Sequence, residues 1–333
     1  MKKGRMRRVL RGAALALPVV AALLFLGNES RWVKPADVQP FLLAHRGVHQ
    51  TFDTRDLRND TCTAARIHAP THTLIENTLP SMRAAFDAGA DMVELDVHPT
   101  RDGDFAVFHD WTLDCRTEAR GVVRDHTLAQ LQSLDVGHGY TADGGRSYPL
   151  RGKGVGLMPS LSQVLDAFPS QRFLIHVKSR DAQEGRLLAR HLAALDTGAL
   201  GRLLVYGSDE PVGALKQALP AIRVAPRGAL VQCLLRYEAT GWSGYVPETC
   251  RGGLMLVPAN VAPWLWGWPH RLQKRLMAVG TQLVVVGPYA GGDFNSGIDT
   301  GEALAQLPAG YRGGLWTNRI ERIGPLVRQR KLD

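Results

Sequence analysis

The chain has 333 residues, 45% of them hydrophobic and 21% charged, which is enough apolar material for a sizeable core and excludes bulk disorder. Its formal charge is +9, from 40 Lys and Arg against 31 Asp and Glu, a sign that suits phosphate diesters, anionic lipid or nucleic acid without choosing among them and that a solvated basic face explains as well. No zinc-finger spacing, RNA-binding aromatic pair or helix-turn-helix pattern accompanies that charge, and no nucleic-acid partner is expected.

The first eleven residues carry Lys2, Lys3, Arg5, Arg7, Arg8 and Arg11, and Gly12 to Gly27 follow without a charge. A basic flank before a short apolar run reads as a signal anchor, or as a cleaved signal peptide, over residues 1–28. The arginines place the amino terminus inside. The expected location is therefore a bacterial-type inner membrane with an extracytoplasmic or periplasmic catalytic portion, or secretion if the signal is cleaved. Cys62, Cys115, Cys233 and Cys250 suit such a compartment. Pairing Cys62 with Cys115 and Cys233 with Cys250 closes the shorter loops; free core cysteines are the other option.

After a polar connector at 29–39, Phe41 to Ala44 reads as a strand ending at His45. Further strand candidates are Met92 to Val97, Phe105 to Phe108, Phe173 to Val177, Leu203 to Tyr206, Ile222 to Ala225, Leu254 to Val257, Leu283 to Val286 and Leu315 to Trp316. That is one more than an eight-stranded barrel needs, so at least one is peripheral. Between them, Leu79 to Ala88, with Asn77 or Thr78 as its cap, Leu161 to Phe168, Asp181 to Leu195, Pro211 to Leu219 and His270 to Ala278 fit crossover helices. This alternation favours parallel α/β organisation. Residues 40–332 are expected to form the catalytic unit, interrupted by insertions at 48–73 and 120–159 that emerge at its functional rim.

The candidate chemistry sits at strand ends. His45-Arg46-Gly47 and Phe108-His109-Asp110 each place an imidazole there, and two histidines flanking a phosphate can divide general acid and general base work. In Glu94-Leu95-Asp96, strand alternation puts both carboxylates on one face, where they can hold a hard divalent cation. Glu76-Asn77-Thr78 adds a carboxylate just before a helix. His176 and Lys178 share another strand face, and Lys178 suits phosphate-oxygen charge. The cluster Trp264-Leu265-Trp266-Gly267-Trp268 reads as a packed loop anchor, an apolar substrate edge or a surface lying against lipid.

This ordered set, His45-Arg46-Gly47, Glu76-Asn77-Thr78, Glu94-Leu95-Asp96-Val97, Phe108-His109-Asp110 and the strand bearing Lys178, resembles the glycerophosphodiester phosphodiesterase family. The resemblance implies a TIM-like (β/α)8 barrel, here preceded by the membrane anchor, and metal-dependent hydrolysis of glycerophosphodiesters to an alcohol and glycerol 3-phosphate. It makes His45 and His109 the acid-base pair. Arg46 and Lys178 become phosphate contacts, with Tyr289 and Trp316 as further substrate contacts. Glu94, Asp96, His176 and Glu76 become the metal shell, for Mg or Ca first and Mn as an alternative.

Two departures from the family pattern stand out. His176 occupies a position usually held by a carboxylate, which weakens the case for calcium and favours magnesium, manganese or a softer metal. At the final strand, Gly314-Leu315-Trp316-Thr317-Asn318 has Asn318 where aspartate is common, and Pro288 precedes Tyr289. These changes leave two alternatives open: a lysophospholipase D-like enzyme acting on lysophospholipid, and a catalytically weakened, membrane-tethered phosphodiester-binding protein. Oligomeric state is not readable from the sequence.

Overall fold

The computed structural model describes residues 18–19, 21–58, 60–291 and 296–329. Among the described residues nine strands form: β1 (Leu42–His45), β2 (Met92–Pro99), β3 (Phe105–Val107), β4 (Phe173–Val177), β5 (Leu203–Gly207), β6 (Arg223–Pro226), β7 (Leu254–Pro258), β8 (Gln282–Val286) and β9 (Gly314–Thr317). Eight run parallel in the order β6-β5-β4-β2-β1-β9-β8-β7, while β3 pairs antiparallel with β2 and lies off that path. The surplus strand is therefore Phe105–Val107, a short flank that carries the chain from β2 to His109.

The parallel strands curve into a nearly closed barrel. Phe41, Leu43, Met92, Leu174, Leu204, Ala225, Leu254, Val284 and Trp316, drawn from all eight of them, meet in one buried interior cluster. The alternate residues, such as Leu42, Val93, Ile175, Val205, Met255 and Leu315, face outward into a second cluster with the helices. Both strand faces are thus apolar, as a parallel sheet covered by helices requires. The ladder stops between β6 and β7, and the helix Arg227–Thr240 packs against both of these edge strands.

The helices Leu79–Asp87, Leu161–Ala167, Ala182–Leu192, Asp209–Ala218 and His270–Met277 lie where the apolar spacing places them. Thr78, not Asn77, caps the first, its hydroxyl accepting from the Ser81 amide. Two further helices, Arg227–Thr240 and Ile320–Gln329, escape a periodicity reading. The first buries only Cys233 and Tyr237 and exposes Val231 and Leu235, so no single apolar stripe marks it. The second contains Pro325, which reads as a helix stop.

Segments from the two insertions pack together instead of lying loose. Ala64, Ile67, Leu131, Val136, Tyr140 and Leu150 join Ala106, Phe108 and Leu113 in a separate small core beside β3. Both local cysteine pairs are disulfides, Cys62–Cys115 across the insertion core and Cys233–Cys250 beside the open seam.

The expected membrane anchor requires correction: among the described residues, no helix is long and apolar enough to cross a membrane. Residues 18–19 and 21–28 are helical, but at about 1.5 Å per residue they reach only about half of a ~30 Å hydrocarbon core. The rest of that expectation, residues 1–17 and 20, lies outside the described residues. The end of this helix and the chain just after it dock on the barrel: the Asn28 side-chain amide donates to the Trp242 carbonyl, and the Ser30 hydroxyl accepts from the His270 backbone N–H. The membrane partner and the inner-membrane, periplasmic location rested on that anchor and are withdrawn with it.

Candidate active site

The carboxyl ends of β1, β2, β4 and β9 bring most of the chemistry to one place. Register does much of this work, since His45 pairs with Glu94, Asp96 with His176, and Ala44 with Thr317. Glu94 and Asp96, two residues apart on β2, both point inward and are fully buried. With His176 they offer ligand atoms that all lie within 4.8 Å of one another.

The two carboxylates are held differently. Asp96 accepts from His176 Nδ1 at 3.0 Å and from the Asn77 amide at 3.0 Å, and it lies 3.2 Å from Arg46 Nε and 3.4 Å from Lys178 Nζ. Desolvation opposes its charge, but Lys178 and Arg46 hold it well below the usual carboxylate range. Glu94 accepts from the Tyr206 hydroxyl at 2.6 Å through one oxygen, while its other oxygen is buried without a hydrogen-bond partner, 3.7 Å from His45 Nε2. Burial, followed by the adjacent Asp96 charge, raises the Glu94 carboxyl above the ordinary carboxylate range. An orphaned carboxylate oxygen beside a second carboxylate and an imidazole is a donor set that fits a divalent cation.

The two motif histidines are both held by Nδ1. His45 Nδ1 donates to the Asn318 side-chain oxygen at 2.6 Å. Asn318 is oriented by Asp299, which accepts from its side-chain amide at 2.9 Å and from its backbone N–H at 2.6 Å. With the amide nitrogen so engaged, the oxygen must face His45, which fixes the Nδ1–H tautomer and leaves Nε2 as the basic nitrogen. His109 Nδ1 donates to Asp110 at 2.6 Å, and Asp110 accepts from Arg116 Nε at 2.8 Å. Desolvation, then the Arg46 charge, lowers both imidazoles, His45 well below its ordinary value and His109 to about 4.

The remaining sequence candidates divide. Lys178 and Arg46 both flank Asp96, and Arg46 takes the left-handed conformation, φ 57°, that aims its side chain back over the strand ends. Glu76 stands apart from the cation group: one oxygen lies 3.1 Å from Arg46 Nη1, the other 3.2 Å from Arg116 Nη1. Trp316 is buried, its ring 5.1 Å from that of His45. Tyr289 is 55% exposed, and its backbone N–H and carbonyl bond to the Asn260 side chain. In the tryptophan cluster, Trp266 donates to the Glu238 carbonyl and Trp268 packs on Tyr311, while Trp264 is 78% exposed. The group that can hold a cation is Glu94, Asp96 and His176, three of the four residues expected in the metal shell, and the two histidines stand outside it.

Three residues with a part in the site were not singled out: Tyr206, Asp299 and Arg116. Tyr206 stacks on His176 with ring centroids 4.3 Å apart, and its place beside His176 in the register was its only sequence trace. Asp299 and Arg116 gave no signal, since each acts through a neighbour distant in sequence or hidden in a loop.

Residues 45–196 match the model of the glycerophosphoryl diester phosphodiesterase family. Among characterised sequences, a glycerophosphodiester phosphodiesterase of Bacillus subtilis (strain 168) is 40% identical over 114 residues, covering 33% of this chain and 38% of that protein. One of Caldanaerobacter subterraneus subsp. tengcongensis is 34% identical over 105 residues, covering 31% of this chain and 39% of that protein. The matched stretch therefore spans about two fifths of these relatives. The fold extends further. The crystal structure of the glycerophosphoryl diester phosphodiesterase domain of an uncharacterized Mycobacterium tuberculosis protein superposes with a TM-score of 0.60 at 19% identity, covering 88% of this chain and 99% of that one.

Proposed function

Because the chain belongs to the glycerophosphodiester phosphodiesterase family, we propose that it hydrolyses glycerophosphodiesters to an alcohol and glycerol 3-phosphate with a divalent cation held by Glu94, Asp96 and His176. The observation that carries this reading is the buried Glu94 oxygen left without a hydrogen-bond partner within that group, 3.7 Å from His45 Nε2. When bound there, a divalent cation supplies Lewis-acid polarisation of a phosphoryl oxygen. The imidazole in the donor set favours magnesium or manganese over calcium.

The chain's own groups supply the rest. Arg46 and Lys178, on either side of Asp96, attract the phosphate and offset charge that builds on its oxygens. His45, held by an uncharged amide, favours the neutral form and is assigned the base that removes a proton from the attacking hydroxyl, whether of the substrate glycerol or of water. His109 is held neutral in the free chain by burial and Arg46, but its Nδ1–H bond to the Asp110 carboxylate offsets positive charge on the ring once an anionic phosphate is beside it, and it is assigned the acid that protonates the leaving oxygen. The Trp316 ring beside His45 forms an apolar wall for the substrate.

The test follows glycerol 3-phosphate release from glycerophosphodiesters by the full chain, stripped of metal and then resupplied with Mg, Mn or Ca. Restoration by Mg or Mn above Ca is expected. Folded protein that binds the diester but releases nothing with any ion overturns the hydrolase reading in favour of a binding protein, and release only from acyl-bearing lysophospholipid moves the substrate class.

A further inference from the structure

Arg116 is 2% exposed, and each nitrogen of its guanidinium is engaged. Nε donates to Asp110 at 2.8 Å, Nη1 to the Tyr140 hydroxyl at 2.5 Å with Glu76 at 3.2 Å, and Nη2 to the Thr63 hydroxyl at 2.7 Å. Two of these partners lead into the active site. Asp110 holds Nδ1 of His109, and Glu76 holds Nη1 of Arg46. The other two, Tyr140 and Thr63, belong to the insertion core. The Cys62–Cys115 disulfide lies one residue from both ends of the Thr63–Arg116 bond, so a covalent link backs this contact.

A buried ion cluster of this kind is weak evidence for stability, because desolvating four charged groups offsets much of their attraction. Its geometry gives it a use. A planar fork can fix two carboxylates at once in a way that an ammonium cannot.

We propose that Arg116 is a positioning residue that sets the orientation of His109 through Asp110 and of Arg46 through Glu76, with the Cys62–Cys115 bridge holding it from behind. It touches neither substrate nor cation. The insertions thereby become the support of half of the acid-base pair. The proposal rests on the phosphodiesterase reading for its kinetic consequences, but not for its structural ones.

The test uses the full chain with Arg116→Lys, which keeps the charge but loses the fork, and Thr63→Val, which removes one acceptor and keeps the shape. Three quantities are measured: turnover, cation affinity by calorimetry, and the 15N resonances of the His109 imidazole, assigned with His109→Ala. Arg116→Lys is expected to lower kcat roughly tenfold or more, as small misplacements of a reacting group do. Cation affinity is expected to stay within about twofold, and His109 to change from one tautomer to a mixture. Thr63→Val moves the same signals less. If the His109 resonances stay as in the wild type in both variants, or if Arg116→Lys costs the same factor in the His109→Ala background, the proposal is overturned. A wild-type chain without turnover defeats the phosphodiesterase reading, while the imidazole spectra still decide whether Arg116 positions His109.

Discussion

At His45 the protein pairs a titratable ring with an uncharged amide, and at His109 it pairs one with a carboxylate. That asymmetry separates otherwise similar groups and has a measurable consequence. A p-nitrophenyl leaving group needs little protonation, so His109→Ala is expected to recover most of its activity on an activated diester, whereas His45→Ala stays at least ~100-fold impaired on both substrates. Equal recovery in both variants would reverse or remove the assignment. Glu94 offers a second test. Burial and the adjacent Asp96 charge raise its carboxyl, so an incoming cation competes there with a proton as the pH falls. Cation affinity is expected to rise from pH 6 to pH 8 with proton release, measured by calorimetry in buffers of different ionisation enthalpy. A flat affinity across this range would show that Glu94 is already ionised.

Between strands, the insertion core carries its own electrostatic and covalent ties. Glu76 pays desolvation but sits between Arg116 and Arg46, which together lower its carboxyl to about 2. A depressed carboxyl stabilises the fold above its unfolded value near 4.5, and this contribution fades as the pH falls toward 2. On the order of 3 kcal/mol is involved. Comparing denaturant midpoints at pH 7 and pH 3, Glu76→Gln is expected to show a smaller acid loss than the wild type. The Cys62–Cys115 bridge joins residues 53 apart, against 17 for Cys233–Cys250. Loop-closure entropy then predicts losses of about 4 and about 3 kcal/mol on removing each pair. The first removal is expected also to reduce turnover, through Thr63 and Arg116, and the second to leave it nearly intact. Both effects are readable from melting curves and initial rates.

Across the whole molecule, the barrel is held open at one seam, where β6 and β7 have no ladder between them. The helix Arg227–Thr240 and the Cys233–Cys250 disulfide cover that gap, and Tyr237 reaches from the helix to the Trp266 carbonyl. His45 and the cation group of Glu94, Asp96 and His176 sit on β1, β2 and β4, in the middle of the strand order. Opening the second disulfide is therefore expected to speed hydrogen exchange in β6 and β7 while the amides of β1 and β2 stay protected. Uniform loss of protection would mean that the seam is not a separate unit.

The sequence by itself determined the strands and several crossover helices, because alternation and apolar spacing are local properties. It also marked His45, His109, Glu94, Asp96, His176 and Lys178, because strand ends and a two-residue period suffice to put such groups on one rim. Local pattern misjudged the amino-terminal segment, whose described helix is too short to span a bilayer. Only the tertiary structure decided that β3 stands outside the barrel and that Glu76 serves two arginines. The same holds for Asn318, whose side chain faces His45 because Asp299, 19 residues earlier, takes its amide. These outcomes depend on which polar groups meet across separate segments once water is excluded, and no periodicity within a segment encodes that meeting.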